Sequence, residues 1–390
     1  MCCKLCVQLK EQNKELKVAF SLGKVSLPVG LDIGSNRIKV VQLKPATPNP
    51  LLLKYGIADA PVDSVVDGEI NDTEAVAQTI SDLLYSSGIS EKRVILGISN
   101  QKIIVRVISV PYMEKDELRS AIEFQAGDHI PIPIDQAIID FVVVGERQNE
   151  KNERLLDIIL VAAQKEMVAK HIEALEKAKL KPYIVDVSSF AIARSLIEPP
   201  ALVPEEKDIE KAKKAVGLVD IGDEVTNITI VENGILRFSR ITSVADNTFT
   251  KALVTHLNLS VEDAIKNKDK YGFAPVGSAK AEATDDPQEK VQAVLADELL
   301  KFVSEVKRSF DYGLAESLES EKIDRIILSG VGAKTPGLLS YFEESFGLEV
   351  TLGNPLGSVS LADSINQEQA SEHNLQLAIS LGLALRGIEE

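Results

Sequence analysis

Apolar residues alternate along the first readable stretch of the chain and then shift to a helical period. Val29, Leu31 and Ile33 lead into Gly34-Ser35-Asn36, and Ile38, Val40, Val41 and Leu43 return, which predicts a β-hairpin with a tight polar tip. Pro45, Pro48 and Pro50 mark a loop, and residues 51–57 offer a third strand. Ala75, Val76, Ile80, Leu83 and Leu84 then repeat at helical spacing behind an N-cap at Asp72 or Thr73, and Gly88 stops that helix. Residues 93–98 read as a buried strand and 103–110 as another, so residues 25–110 form a first lobe of βββαβ type.

Residues 111–181 have a different texture. A helix over 114–127 turns Leu118, Ala121, Ile122 and Phe124 inward, and Ile130-Pro131-Ile132-Pro133-Ile134 is extended because no helix passes through that proline spacing. Strands at 137–144 and 155–163 flank a polar turn, and a helix over 165–178 and a strand over 182–187 complete an inserted αββαβ unit. A helix over 188–197 ends at Pro199-Pro200. The charged run 205–214 reads as a solvated connector within the return segment 182–214.

The plan then begins again over 215–390. Ala215 to Val231 repeats the opening: apolar strand, Asp220-Ile221-Gly222, short polar turn, apolar strand. Asp32-Ile33-Gly34 heads the earlier half in the same way, and an internal duplication is the economical account. Asn233-Gly234 predicts a hairpin turn. Helices follow over 247–257, 261–270 and 291–312, with residues 277–290 as a mobile loop. Residues 323–337 give a buried strand running into a glycine turn, and a helix carries on over 338–346. A last apolar helix spans 375–386, where Gly382 implies close packing on the sheet.

At 390 residues the chain exceeds one small core, and 45% hydrophobic with 26% charged residues suits a globular body. A net charge of −16 argues against general binding to nucleic acid or to anionic membrane. No apolar run reaches the roughly 20 residues that span a bilayer, and the N-terminus lacks a secretory core. The three cysteines, Cys2, Cys3 and Cys6, crowd into a flexible leader over 1–24, so no disulfide framework supports the fold, as befits a reducing cytoplasm. The four histidines are scattered, leaving Cys3 and Cys6 too few companions for zinc.

Three glycine turns at strand ends carry the candidate chemistry. Amides around Gly34 can approach a phosphate, Lys39 adds a cation, and Asp32 suits a hydrated Mg²⁺ because a carboxylate repels phosphate directly. An ordinary hairpin accounts for that stretch alone equally well. Two matched turns, at Gly34 and Gly222, facing each other across a cleft would clamp a polyphosphate from both sides. The third, Ser329-Gly330-Val331-Gly332-Ala333, would lie against sugar and base.

These segments resemble the phosphate 1, phosphate 2 and adenosine motifs of the actin, Hsp70 and hexokinase superfamily. From Val29 onward the chain resembles the PilM family of type IV pilus assembly proteins, an FtsA-like branch. Val110-Pro-Tyr-Met113, Glu117-Leu118, Ala121-Ile122, Ile130 to Asp135, Val185-Asp-Val187, Leu338, Gly347-Leu348 and Leu381 to Gly387 extend the likeness. It implies a duplicated actin-like (ribonuclease H-like) two-lobed α/β ATPase fold with an inserted 1C-type subdomain. The two lobes would be of 1A and 2A/2B type. It implies ATP bound with Mg²⁺: Gly34, Ser35, Asn36 and Lys39 on the phosphates from one side, Gly222, Asp223 and Thr226 from the other, and Asp32 and Asp220 organising Mg²⁺ through water. Gly330, Gly332 and Ala333 would face adenosine, and Lys268 matches a lysine on the nucleotide-side helix. Val331 interrupts the usual glycine run, Lys266 and Ile265 stand where the family tends to be acidic, and Gln125 and Gly127 replace a commonly acidic, helix-friendly stretch.

The resemblance further implies a cytoplasmic scaffold at the inner membrane that binds the N-terminal peptide of a PilN-type partner. The peptide would lie in a groove rimmed by Ile130, Pro131 and Ile134, and the scaffold would contact motor ATPases and a platform protein as a homo-oligomeric ring. An active ATPase or small-molecule kinase is the alternative; it lacks a persuasive general base, with Asp186 and Gln164 the available candidates. An FtsA-type filament protein would need an amphipathic C-terminal helix, whereas this sequence stops at Glu390.

Overall fold

The computed structural model describes residues 27–149, 151–197, 215–278, 285–317 and 320–389; the leader, its cysteines and the connector 205–214 lie outside them. The opening hairpin forms as β1 (Val29–Ile33) and β2 (Arg37–Lys44), with Asp32 opposite Lys39. β3 (Leu51–Asp59) adds to β2, and a tiny hairpin of β4 (Val65–Val66) and β5 (Glu69–Ile70) follows. Helix α1 (Thr73–Ser86) starts where the Asp72 carboxylate accepts from the amides of Glu74 and Ala75, satisfying donors that the first turn leaves unpaired. β6 (Arg93–Ile98) lies parallel to β1.

β7 (Ile104–Pro111) departs from expectation. Instead of extending the first lobe it pairs along its whole length with a strand of the insertion, and its Val105 pairs with Ser239 of the second half. The rest of that unit is α2 (Lys115–His129), β8 (Ala137–Gln148), β9 (Arg154–Gln164) and α3 (Lys165–Lys177), after which β10 (Lys181–Val187) returns to pair with β6 and α4 (Ser188–Leu196) follows. Within α2 Leu118, Ile122 and Ala126 face the insertion's own core, whereas Phe124, expected inward, is 90% exposed. Ile130, expected on a groove rim, is buried in that core with Ile132; Pro131 and Ile134 are exposed.

The second half opens with β11 (Ala215–Ile221), β12 (Thr226–Glu232) and β13 (Ile235–Thr242), an antiparallel series like β1 to β3. Asn233 and Gly234, both at positive φ, make the tight turn between β12 and β13. Helices α5 (Asp246–Leu257), α6 (Val261–Tyr271) and the long α7 (Pro287–Ser317) come next, so the end of the expected loop, from Pro287, is helical. β14 (Arg325–Ser329), α8 (Leu338–Phe346), β15 (Glu349–Leu352), β16 (Ser360–Leu361), α9 (Gln367–His373) and α10 (Ala378–Glu389) finish the chain.

Two sheets result, ordered β10-β6-β1-β2-β3-β16 and β15-β14-β11-β12-β13-β7-β9-β8. Helices α1 and α3 cover one face of the first sheet around Ile80, Leu83, Val168 and Leu175. Helices α5, α7 and α8 cover the second, where Phe249, Phe302 and Phe342 interlock edge-on and tilted with centroids 5.9 Å apart. Between the sheets lie α10, with Leu381 and Ala384 packed with Val41 and Leu43 of β2 and Leu52 of β3, and α4, with Ile192 against Val216, Leu218 and Val231. Gly382 lets these two helices touch, since a Cβ there would collide with the Ala191 carbonyl. The close packing expected against a sheet is thus against a helix.

Candidate nucleotide-binding site

The two Asp-Ile-Gly turns have one backbone design. Gly34 N–H donates to the Arg37 carbonyl at 3.0 Å and Gly222 N–H to the Val225 carbonyl at 3.0 Å. A Cβ on either glycine would sit 2.9 Å or 2.8 Å from that same oxygen, so both positions demand glycine for the same reason. The turns also meet: Asn36 Nδ2 donates to Asp223 Oδ1 at 3.1 Å, joining residues 187 apart in sequence.

Behind each turn a buried aspartate closes the strand. Asp32 Oδ2 is 2.7 Å from Lys39 Nζ, a pair that cross-strand register dictates. Burial alone would lower the Lys39 pKa, but the carboxylate of Asp32, with Asp223 and Asp220 behind it, outweighs burial and raises the pKa above its ordinary value. Asp220 accepts from Ser329 Oγ at 2.7 Å; burial pushes its pKa up to about 6 against the opposing pull of that bond and of Lys39. Burial likewise raises the Asp223 pKa.

Asp32, Gly34, Ser35, Lys39, Asp220, Gly222 and Asp223 line a cavity of about 60 Å³. A wider one of about 490 Å³ is lined by Asn36, Arg37, Asp223, Asp246, Lys268, Val331, Lys334 and Pro336, among others. Asp223, Val331 and Gln376 border both, so the two are compartments of one interlobe cleft. Lys268 is buried on α6 and donates to Asp246 at the start of α5, whose first amides rest on the Gly222 and Asp223 carbonyls at 3.1 and 2.8 Å.

Three expected contributors stand apart. Thr226 is buried and its hydroxyl donates to the Val244 carbonyl at 2.8 Å, so it stabilises the loop rather than facing the cleft. Gly332 and Ala333 are buried and line neither cavity. Gly332 lacks a side chain because Ile221 fills that space, and Gly330, at φ +84°, because the Ile221 carbonyl does. Val331, which breaks the expected glycine run, is the residue of that turn that reaches both compartments. Ile265 lines the wider one, and Lys266 points away to Glu262 at 2.7 Å. Asp186 is no general base: its carboxylate is buried 2.9 Å from Arg386 and 3.3 Å from Arg194, and Gln164 lies at the end of β9 outside both cavities.

Other site residues escaped the sequence reading. Asn227 is the register partner of Asp220, which the hairpin alternation alone locates, and Asp246 stands where an acidic residue opens a helix. Gly68 and Ser99 line the smaller cavity, with Asp67-Gly68 between Val65-Val66 and Glu69-Ile70 as the available hairpin signal.

Residues 30–388 match the family model described as type IV pilus assembly protein PilM. The chain belongs to the PilM family. Its fold is shared with a solved structure titled PilM-PilN type IV pilus biogenesis complex, at 26% identity and TM-score 0.77, covering 93% of this chain and 99% of that one. The cell division protein FtsA of Bacillus subtilis is 23% identical over 84% of this chain and 79% of its own length. MreB5 of Spiroplasma citri, solved bound to AMPPNP, shares the fold at TM-score 0.50 and 13% identity, over 94% of this chain and 98% of that one. The duplicated two-lobed architecture is therefore the actin-like one, in a member of the type IV pilus assembly machinery. No described helix is long and apolar enough to cross a membrane.

Proposed function

We propose that the protein is an ATP-binding scaffold of the type IV pilus machine that docks the N-terminal cytoplasmic peptide of a PilN-type inner-membrane protein. The observation that carries the nucleotide half is the meeting of two identically built turns, one from each lobe, around a cavity flanked by Asp32, Lys39 and Asp220. These residues fit a phosphate chain with a divalent cation. Gly34 and Gly222 use their own amides inside the turns, leaving those of Ser35 and Asp223 for phosphate. Lys39 supplies positive charge, and Asp32 and Asp220 supply carboxylates for a hydrated Mg²⁺. No described group of three His, Cys, Asp or Glu is arranged to hold a metal directly, in keeping with a cation held through water. The wider compartment, with Lys268, Val331 and Pro336, takes adenosine. The bound cation neutralises phosphate charge; this chain's residues bind and orient.

The peptide half rests on the likeness to the PilM-PilN complex and on Pro131, Ile134 and Phe124, exposed on the inserted unit, where an extended apolar peptide would find anchors. Through that peptide the scaffold links to the motor ATPases and platform protein as a ring at the inner membrane. The catalytic alternative is disfavoured because the Asp186 carboxylate is neutralised by two arginines. Calorimetric titration with ATP and Mg²⁺ tests the reading: binding to the wild type and none to Lys39→Ala/Asp220→Ala, still folded by circular dichroism, is expected. Equal affinity of both would reject the phosphate site.

A further inference from the structure

The smaller cavity has a wall that the nucleotide motifs do not supply. Asp67 and Gly68, both at positive φ, form the two-residue turn between β4 and β5, for which an Asp-Gly pair is locally favoured. The surroundings then hold this turn in place from three sides. Asn100 Nδ2 donates to the Asp67 carbonyl at 2.6 Å, the Gly68 Cα lies so close to the Ser99 carbonyl that a Cβ would collide with it, and the Asp67 amide donates to Glu224 Oε2 at 2.9 Å. Glu224 belongs to the other lobe, in the second phosphate turn next to Asp223. Both Gly68 and Glu224 line the smaller cavity. A hairpin of the first lobe is thus held against the phosphate compartment by a carboxylate of the second.

We propose that Glu224 is a latch that fastens the Asp67–Gly68 turn over the phosphate compartment, so that nucleotide leaves only after this bond between the lobes opens. Glu224 is a positioning residue: it acts on the turn and needs no contact with phosphate. The inference rests on the nucleotide reading above and adds to it a control of exchange.

Two substitutions separate the latch from the charge. Glu224→Ala removes both carboxylate and acceptor, whereas Glu224→Gln removes the charge but keeps an oxygen that accepts from the Asp67 amide. Release of a fluorescent ATP analogue, chased with excess ATP in the presence of Mg²⁺, should quicken about tenfold in Glu224→Ala, the worth of a hydrogen bond to a charged group. It should change far less in Glu224→Gln. Amide exchange at Asp67 and Gly68 should slow when nucleotide binds the wild type and should not slow in Glu224→Ala. If both variants release nucleotide at one rate, or if the two amides exchange alike with and without nucleotide, the latch is rejected while the site stands. If the wild type binds no ATP analogue at all, it is the nucleotide reading that fails, and with it the basis for the latch.

Discussion

Replacing Asp220 by Asn should make the protein more stable above neutral pH while removing its affinity for Mg²⁺ and ATP. The carboxylate is buried at the end of β11, with Ser329 Oγ and Asn227 beside it and Lys39 across the cleft already paired to Asp32. Its pKa of about 6 in the folded protein exceeds the ordinary carboxylate value, so the folded state holds this proton more tightly than the unfolded chain. Stability at this site is therefore greatest below about pH 4 and falls as pH rises through the window up to about 6. About two pKa units at roughly 1.4 kcal/mol each gives a penalty of about 3 kcal/mol that is fully present by pH 7.5. Asn keeps an acceptor for Ser329 and never ionises. Urea unfolding of wild type and Asp220→Asn at several pH values should show the stability difference moving in favour of Asn by about 2–3 kcal/mol between pH 4 and 7.5. A difference that does not vary with pH would refute the argument that a strained, buried carboxylate is kept here for a cation.

Lys39→Ala leaves the Asp32 carboxylate buried without its partner; thermal unfolding should show destabilisation of about 3 kcal/mol, and calorimetry loss of ATP binding. Gly382→Ala forces α10 away from the Ala191 carbonyl of α4, and a loss of about 1–3 kcal/mol in chemical denaturation is expected. Ile134→Asp changes a side chain that is 41% exposed, so the melting temperature should hold while affinity for a PilN-type N-terminal peptide, measured by fluorescence anisotropy, falls; unchanged affinity would move the groove elsewhere.

The sequence made the phosphate turns legible because hairpins are local: Gly34 and Gly222 each bond within four residues, and the alternation on either side fixes Asp32 opposite Lys39 and Asp220 opposite Asn227. What it concealed depends on distant neighbours. β7 has the same alternation whichever sheet it joins, and only the presence of β9 decides. Gly332 looks like room for a base, yet Ile221 fills it, and Thr226 looks like a phosphate ligand, yet Val244 claims its hydroxyl. Phe124 was recoverable. At about 100° per residue it lies roughly 160° from the centre of the stripe of Leu118, Ile122 and Ala126, so a stricter count of helical phase places it in solvent.

The central claim is that a triphosphate lies between the Gly34 and Gly222 turns. A crystal structure of the protein grown with ATP and Mg²⁺ tests it most directly. The account predicts phosphates between Ser35 and Asp223 beside Lys39, a hydrated cation next to Asp32 and Asp220, and adenine in the wider compartment near Lys268 and Val331. Nucleotide bound elsewhere, or an interlobe cleft that takes none at saturating concentration, would contradict it.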